Sequence, residues 1–174
     1  MAAGLALGQV MAENGVRLVY GAGSTGVMGA VARGCLDAGG QVVGIIPQHL
    51  VDMEVAMKDL TELIVVPDMH TRKKMMFDRA DAFCALPGGF GTLDETFEIL
   101  TWRQLGLHDK PIVLCNINDY WARFAEIAES MRDAGFIRPA NMNLFRVVQT
   151  VAEVLPAARA ATPEVTQAPQ TNLF

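Results

Sequence analysis

The chain has 174 residues, 51% of them hydrophobic and 19% charged, which suits one well-buried domain and is too short for two of comfortable size. Fourteen Lys and Arg against 19 Asp and Glu leave a net charge of -5, without the basic field that neutralises a nucleic-acid backbone, so no nucleic-acid partner is expected. The longest apolar runs, VVGIIP and LIVVP, are strand-sized and far short of the ~20 residues that cross a bilayer. Nothing at the N-terminus reads as a signal peptide, and a cytoplasmic protein without a membrane partner is expected.

In chain order, a helix-like segment from Ala2 to Asn14 comes first, with Gly15 placed to end it as a C′ residue. Short apolar runs then alternate with amphipathic stretches: RLVYG, QVVGIIP, ELIVVP, AFCALP, PIVLCN and FRVVQT. That alternation implies βαβ units, so the fold class is α/β, a doubly wound, mostly parallel, Rossmann-like sheet in a single domain. Val42–Ile46 and Ile112–Cys115 are apolar on both faces, as strands covered by helices above and below should be. A crossover helix in this architecture follows a strand, yet here a helix opens the chain, so a strand is expected upstream of it. The domain is expected to span residues 1–155; from Pro156 to Phe174 the mixture of Pro, Ala, Thr and Gln without period predicts a disordered tail.

Cys35, Cys84 and Cys115 are widely separated, two of them within strand-like runs, and read as inert buried thiols. His49, His70 and His108 show no metal-ligand spacing. No metal and no cofactor are expected.

Ligands of doubly wound sheets bind beyond the carboxyl ends of the strands, and three of these turns stand out. The first, YGAGSTGVMG, places Gly21, Gly23 and Gly26 at GxGxxG spacing between a strand and a helix. A dinucleotide site also wants an acid at the end of the next strand, which instead closes as Ile46-Pro47-Gln48. NAD is therefore a minority reading beside a tight, closely packed turn or a phosphate nest. The second, PDMHTRKKMMF, would put Arg72, Lys73 and Lys74 in the first turn of a helix starting at Thr71, where the macrodipole disfavours each cation by ~0.3–1 kcal/mol. An anion meeting them, or a solvated basic face, would explain the placement; Arg72 in particular suits carboxylate or phosphate.

The third turn is LPGGFGTLDETF. Gly88, Gly89 and Gly91 either take positive φ or let the backbone pass close to a ligand, and a helix is expected from near Thr92, with amides forming an anion cradle. Thr92-Leu93-Asp94-Glu95 equally fits a capping box in which Glu95 folds back onto the Thr92 amide, and spacing leaves both readings open. Asp94, Glu95 and Glu98 crowd this helix start, with Glu95 and Glu98 on one face. A ligand with two ends suits that arrangement: an anionic end for the glycine amides, and hydroxyls or developing positive charge for the acids. Ribose 5-phosphate meets both demands, and breaking its C1 bond passes through an oxocarbenium-like state that a carboxylate stabilises.

PGGFGTLDE resembles the PGGxGTxxE motif, and DMHTRK the preceding Met-x-x-Arg-Lys motif, of the LONELY GUY family of cytokinin-activating phosphoribohydrolases, long labelled lysine decarboxylases. The resemblance runs from about Ala3 to Leu155, through LVYGAGSTGVMG, GIIPQHL, LTELIVVPDMH, LTWRQLGLHDKP and DAGFI. It implies hydrolysis of the N-glycosidic bond of AMP or N6-substituted AMP, with Arg72 and Glu95 as the catalytic pair. Nucleotide contacts carry over to Glu54, Lys73, Thr101 and the turn of Gly88, Gly89, Phe90, Gly91, Thr92 and Asp94. It further implies a homodimer or larger homo-oligomer and a family first strand that this sequence lacks. Ala22 stands where the family has a glycine, and Asp94 where it has a glutamate. A non-catalytic nucleotide-binding carrier with the same cradle is the alternative; a decarboxylase reading is poor, because no separate pyridoxal-phosphate framework is visible around Lys73 and Lys74.

Overall fold

The structure is a computed structural model that describes residues 1–53 and 56–160. Among the described residues there are six strands, β1 (Leu18–Tyr20), β2 (Val42–Pro47), β3 (Glu62–Val66), β4 (Phe83–Ala85), β5 (Ile112–Cys115) and β6 (Arg146–Val148), one in each apolar run. The helices are α1 (Ala2–Glu13), α2 (Gly26–Asp37), α3 (Gln48–Asp52), α4 (Met69–Arg79), α5 (Phe90–Gln104), α6 (Ala122–Asp133) and α7 (Val154–Arg159). Because α7 continues through Arg159, ordered helix extends beyond the Leu155 boundary; residues 161–174 of the predicted tail lie outside the described residues. No described helix is long and apolar enough to cross a membrane.

The chain forms two compact units, Met1–Asp81 and one beginning at Ala82. In the first, the strands pair in the order β1-β2-β3, all parallel, with Tyr20 opposite Gly44 and Gly44 opposite Leu63. Central β2 is buried along its whole length. Val43 and Ile45 pack with Val66, Met75 and Met76 in one cluster, while Ile46 joins Ala22, Ala56, Leu50 and Leu60 in another, so both faces are covered as the continuous apolar run implied. Helices α1 and α2 touch backbone to backbone: a Cβ on Gly8 would stand 2.1 Å from the Val31 carbonyl oxygen, and one on Gly34 2.2 Å from that of Leu5. Gly15, at φ +65°, ends α1 in the left-handed conformation expected of it.

The second unit pairs β4-β5-β6, again parallel. Leu100, Ile112, Leu114, Trp121, Phe124 and Leu144 form its core, with Trp121 and Phe124 edge to face at 5.6 Å and 89°. The fully buried indole is thus Trp121, while Trp102 is only partly covered. Cys35 and Cys115 are buried as expected, but Cys84, on the short strand β4, is exposed.

Candidate active site

Helix α4 begins two residues earlier than the Thr71 start read from the sequence. Asp68 is its N-cap, accepting from the Thr71 amide at 2.8 Å and from the Thr71 hydroxyl at 3.1 Å. The Thr71 amide holds the Asp68 carboxyl below its ordinary range. Arg72 therefore closes the first turn, and Lys73 and Lys74 fall in the second, where the macrodipole penalty has faded. Lys74 is an exposed cation paired with Asp78 at 2.5 Å, the solvated i,i+4 pair of an ordinary helix surface. Together with His70, Thr71 and Met75 these two residues line a hollow of about 410 Å³ that includes none of the predicted site residues.

Arg72 is different. It is 8% exposed and is the buried residue of α4, where an amphipathic helix would place an apolar side chain. Its Nη2 donates to the Gly21 carbonyl at 3.2 Å and its Nη1 faces the Met69 sulfur at 3.6 Å, a weak acceptor. Its Nε is buried and has no hydrogen-bond partner among the described residues, a condition that costs roughly 1–3 kcal/mol for a neutral donor and more for a charged one. A buried, charged donor held in this state is expensive for structure alone and leaves Arg72 with hydrogen-bonding capacity that an anion or carboxylate would satisfy.

At the carboxyl end of β4 the chain turns through Leu86-Pro87-Gly88-Gly89 into α5, whose N-cap is Gly89 with no side-chain cap. Gly88, Gly89 and Gly91 all lack positive φ, so conformation does not demand glycine. At Gly88 packing does, since a Cβ there would meet Thr92 Oγ1 at 2.1 Å. At Gly89 and Gly91 a Cβ would find nothing within 4 Å. Two glycines that neither backbone geometry nor a neighbouring atom requires leave open space directly over a helix N-terminus, where amides and dipole favour an anion.

The start of α5 at Phe90, two residues before Thr92, also settles the capping-box alternative. Thr92 is the third helical residue and its amide donates to the Gly89 carbonyl at 3.0 Å; it is not the N-cap that Glu95 would fold back upon. The first turn of α5 contains no acid, so the crowding of carboxylates inferred at the helix start moves one turn down. Glu95 is half-buried, Asp94 is exposed, and Glu98 lies one turn beyond Glu95 on the same face. Amides thus occupy one end of this segment and carboxylates the next, the order a two-ended ligand needs. Phe90 is 92% exposed beside the open glycines. The Thr101 hydroxyl donates to the Phe97 carbonyl at 2.7 Å on an exposed part of the helix, and Lys73 is half-buried. Glu54 lies outside the described residues.

Sequence reasoning missed what holds the α5 turn in place. After β5 the chain passes through Asn116-Ile117-Asn118-Asp119, where Asn118 and Asp119 both have positive φ, 53° and 56°. Buried Asn116 ties this loop, accepting from the Trp121 amide at 2.7 Å and donating to Asp119 and Gln149 at 3.2 Å each. The result presents two donors to the glycine turn: Trp121 Nε1 to the Ala85 carbonyl at 3.2 Å, and the Tyr120 hydroxyl to the Gly88 carbonyl. The signal was present, since Asn and Asp tolerate left-handed backbone and this run directly follows a strand, but it carries no glycine to draw the eye.

The first glycine turn resolves as tight packing. Gly26 has φ +63°, a Cβ on Gly29 would stand 2.2 Å from the Ser24 carbonyl oxygen, and one on Gly23 2.7 Å from Met28 Cε. Close packing and one left-handed backbone position therefore account for these three glycines.

Parallel βαβ units with an open glycine turn at a strand's carboxyl end define a doubly wound α/β protein, whose ligand sites lie beyond the strand ends. Residues 28–158 match the family described as "Possible lysine decarboxylase". The chain is 46% identical over 154 residues to the cytokinin riboside 5'-monophosphate phosphoribohydrolase of Rhodococcoides fascians, covering 88% of this chain and 78% of that one. It is 41% identical over 157 residues to an enzyme of the same name from Arabidopsis thaliana, covering 90% and 69%. The chain belongs to this phosphoribohydrolase family, the one formerly labelled lysine decarboxylase. In fold it is similar to the molybdenum cofactor carrier protein of Chlamydomonas reinhardtii, with TM-score 0.67, 24% identity and coverage of 90% and 83%, and to the molybdenum cofactor binding protein of Rippkaea orientalis, with TM-score 0.67, 22% identity and coverage of 89% and 83%.

Proposed function

We propose that the protein hydrolyses the N-glycosidic bond of AMP or an N6-substituted AMP, releasing the free base and ribose 5-phosphate. The observation that carries this reading is the turn at Gly89 and Gly91, open above an acid-free helix start with Glu95 and Glu98 following on α5; membership of the phosphoribohydrolase family supports it. The 5'-phosphate meets the amides at the head of α5, with Phe90, Thr92 and Asp94 around it and Glu54, Lys73 and Thr101 as further contacts. Glu95 orients the ribose hydroxyls and the attacking water and faces the positive charge that grows on C1 as its bond to the base nitrogen breaks. The bonding pair leaves with the base, which takes up a proton, and the water oxygen bonds C1 and loses one. Arg72 supplies the fixed guanidinium of the pair, its Nε, which has no partner among the described residues, being available to a substrate oxygen or a carboxylate. The reaction as written needs no cofactor.

Incubation with AMP and with N6-isopentenyl-AMP, followed by chromatography of the base, tests the reading. Glu95→Gln should lower release at least about 100-fold, the scale of losing a positioned carboxylate, while calorimetry still reports nucleotide binding. Tight binding by the unaltered protein with no base released over hours would replace hydrolysis with the carrier function. We further propose a homodimer or larger assembly in the cytoplasm, with α5 contributing Phe97, 40% exposed, and the exposed Leu105 at its end; light scattering of the purified protein checks the assembly.

A further inference from the structure

The GxGxxG turn has no role in the reaction above, yet its first glycine is explained neither by conformation nor by the turn. Gly21 lacks positive φ. A Cβ built on it would stand 1.7 Å from Arg72 Nη2, 2.7 Å from Cζ and 3.1 Å from Nε, and these are its three nearest atoms. The guanidinium lies where a side chain at position 21 would be, and the Gly21 carbonyl accepts from the same Nη2 at 3.2 Å. The turn cannot draw back to make room. Ala22, wholly buried, holds φ +58° and its carbonyl accepts from the Met57 amide at 2.8 Å. Behind it stands Gly44 of β2, where a Cβ would meet Leu60 Cδ1 at 2.4 Å and the Cβ of Ala22 at 2.7 Å. Two glycines are thus stacked through the turn: Gly44 admits Ala22, and Gly21 admits the arginine.

We propose that Gly21 is a positioning residue for Arg72, its missing side chain forming the slot that the guanidinium occupies and its carbonyl setting the direction in which the remaining N–H groups point. The proposal rests on Arg72 acting in the reaction. Because the atom that a new methyl would strike is the far end of a flexible side chain, Gly21→Ala should fold and expel the arginine rather than break the turn.

The test reads turnover and arginine exposure separately. In Gly21→Ala, kcat should fall about 100-fold, the cost of displacing a catalytic group by an ångström or so, with KM within about threefold of the original, as expected for a group felt mainly in the transition state. Labelling with phenylglyoxal, mapped by mass spectrometry, should find Arg72 protected in the unaltered protein and modified in Gly21→Ala. Gly23→Ala, whose methyl meets only the flexible end of Met28, should change neither readout. Unchanged turnover with Arg72 still protected overturns the positioning. Unchanged turnover with Arg72 modified instead overturns the role of Arg72, and with it the function given to Gly21. If Gly21→Ala does not fold, the double variant with Arg72→Ala decides: a folded double variant supports a clash confined to the guanidinium, and an unfolded one overturns it.

Discussion

Two glycine-rich turns, Gly21 to Gly29 and Gly88 to Gly91, each lead from a strand into a helix, and in one dimension they look alike. In the first, every glycine answers to the protein: Gly21 to the guanidinium, Gly23 to Met28, Gly26 to its positive φ, Gly29 to the Ser24 carbonyl. In the second, Gly88 answers to Thr92, but Gly89 and Gly91 answer to nothing within 4 Å. Glycine is used once to let the chain pack against itself and once to leave room above a helix N-terminus. The same residue in the same local setting has opposite meanings, and backbone φ and neighbouring atoms together tell them apart.

Substitution by alanine sharpens that contrast most. Gly91→Ala should leave the thermal midpoint near its original value and lower kcat/KM for AMP about 100-fold by intruding on the ligand's side of the turn. Gly29→Ala should do the reverse, costing about 1–3 kcal/mol of stability through overpacking against backbone while the surviving folded protein keeps its turnover. Calorimetric melting beside base-release kinetics checks both, and equal effects of the two variants would erase the distinction. A smaller effect is expected from what braces the open turn. Tyr120→Phe removes the hydroxyl that donates to the Gly88 carbonyl, and a loss of about 1 kcal/mol, roughly fivefold in kcat/KM, follows from one hydrogen bond. No change in that variant would mean the turn is held by the Trp121 indole and its own chain.

The smallest effect separates the binding end of α5 from its far end. His108 sits there with Nε2 on the Ile99 carbonyl at 2.9 Å and Nδ1 accepting from the Lys110 amide at 3.1 Å. Burial holds its pKa below the ordinary value against the opposing bond to the Ile99 carbonyl, with the charges of Arg103 and Lys110 acting in the same sense as burial. A depressed folded pKa means that His108 contributes stability above the unfolded pKa of about 6.5, lost as pH falls through the folded value. Stability measured by denaturant between neutral and mildly acidic pH should decline, and His108→Asn should flatten that decline without altering nucleotide binding at neutral pH.

Much of the fold was legible because its signals are local. Each of the six strands falls within an apolar run, since a strand buried on both faces must be apolar throughout, as β2 and β5 are. Helix starts were read two residues late at α4 and α5, because caps depend on where the backbone turns: Asp68 and Gly89 took the roles given to residues nearer Thr71 and Thr92. The motif residues of the candidate site can be named from the sequence, and their roles stand as proposed; the reason given for the basic cluster failed, because α4 starts at Met69 and Lys73 and Lys74 fall in its second turn. The support from Asn116, Tyr120 and Trp121 stayed hidden because it joins the turn to residues some 30 positions on.

By itself, then, the amino-acid order determined the α/β class, the positions of the strands and the motif residues, all of which follow from periodicity and residue type over a few neighbours. Which glycines face open space, that Arg72 rather than Lys74 is drawn inside, and that Gly21 exists to admit it were decided by tertiary structure. Those are questions of which atoms share a volume, and Gly21 and Arg72 are brought into one volume only when α4 packs on the sheet beside β1.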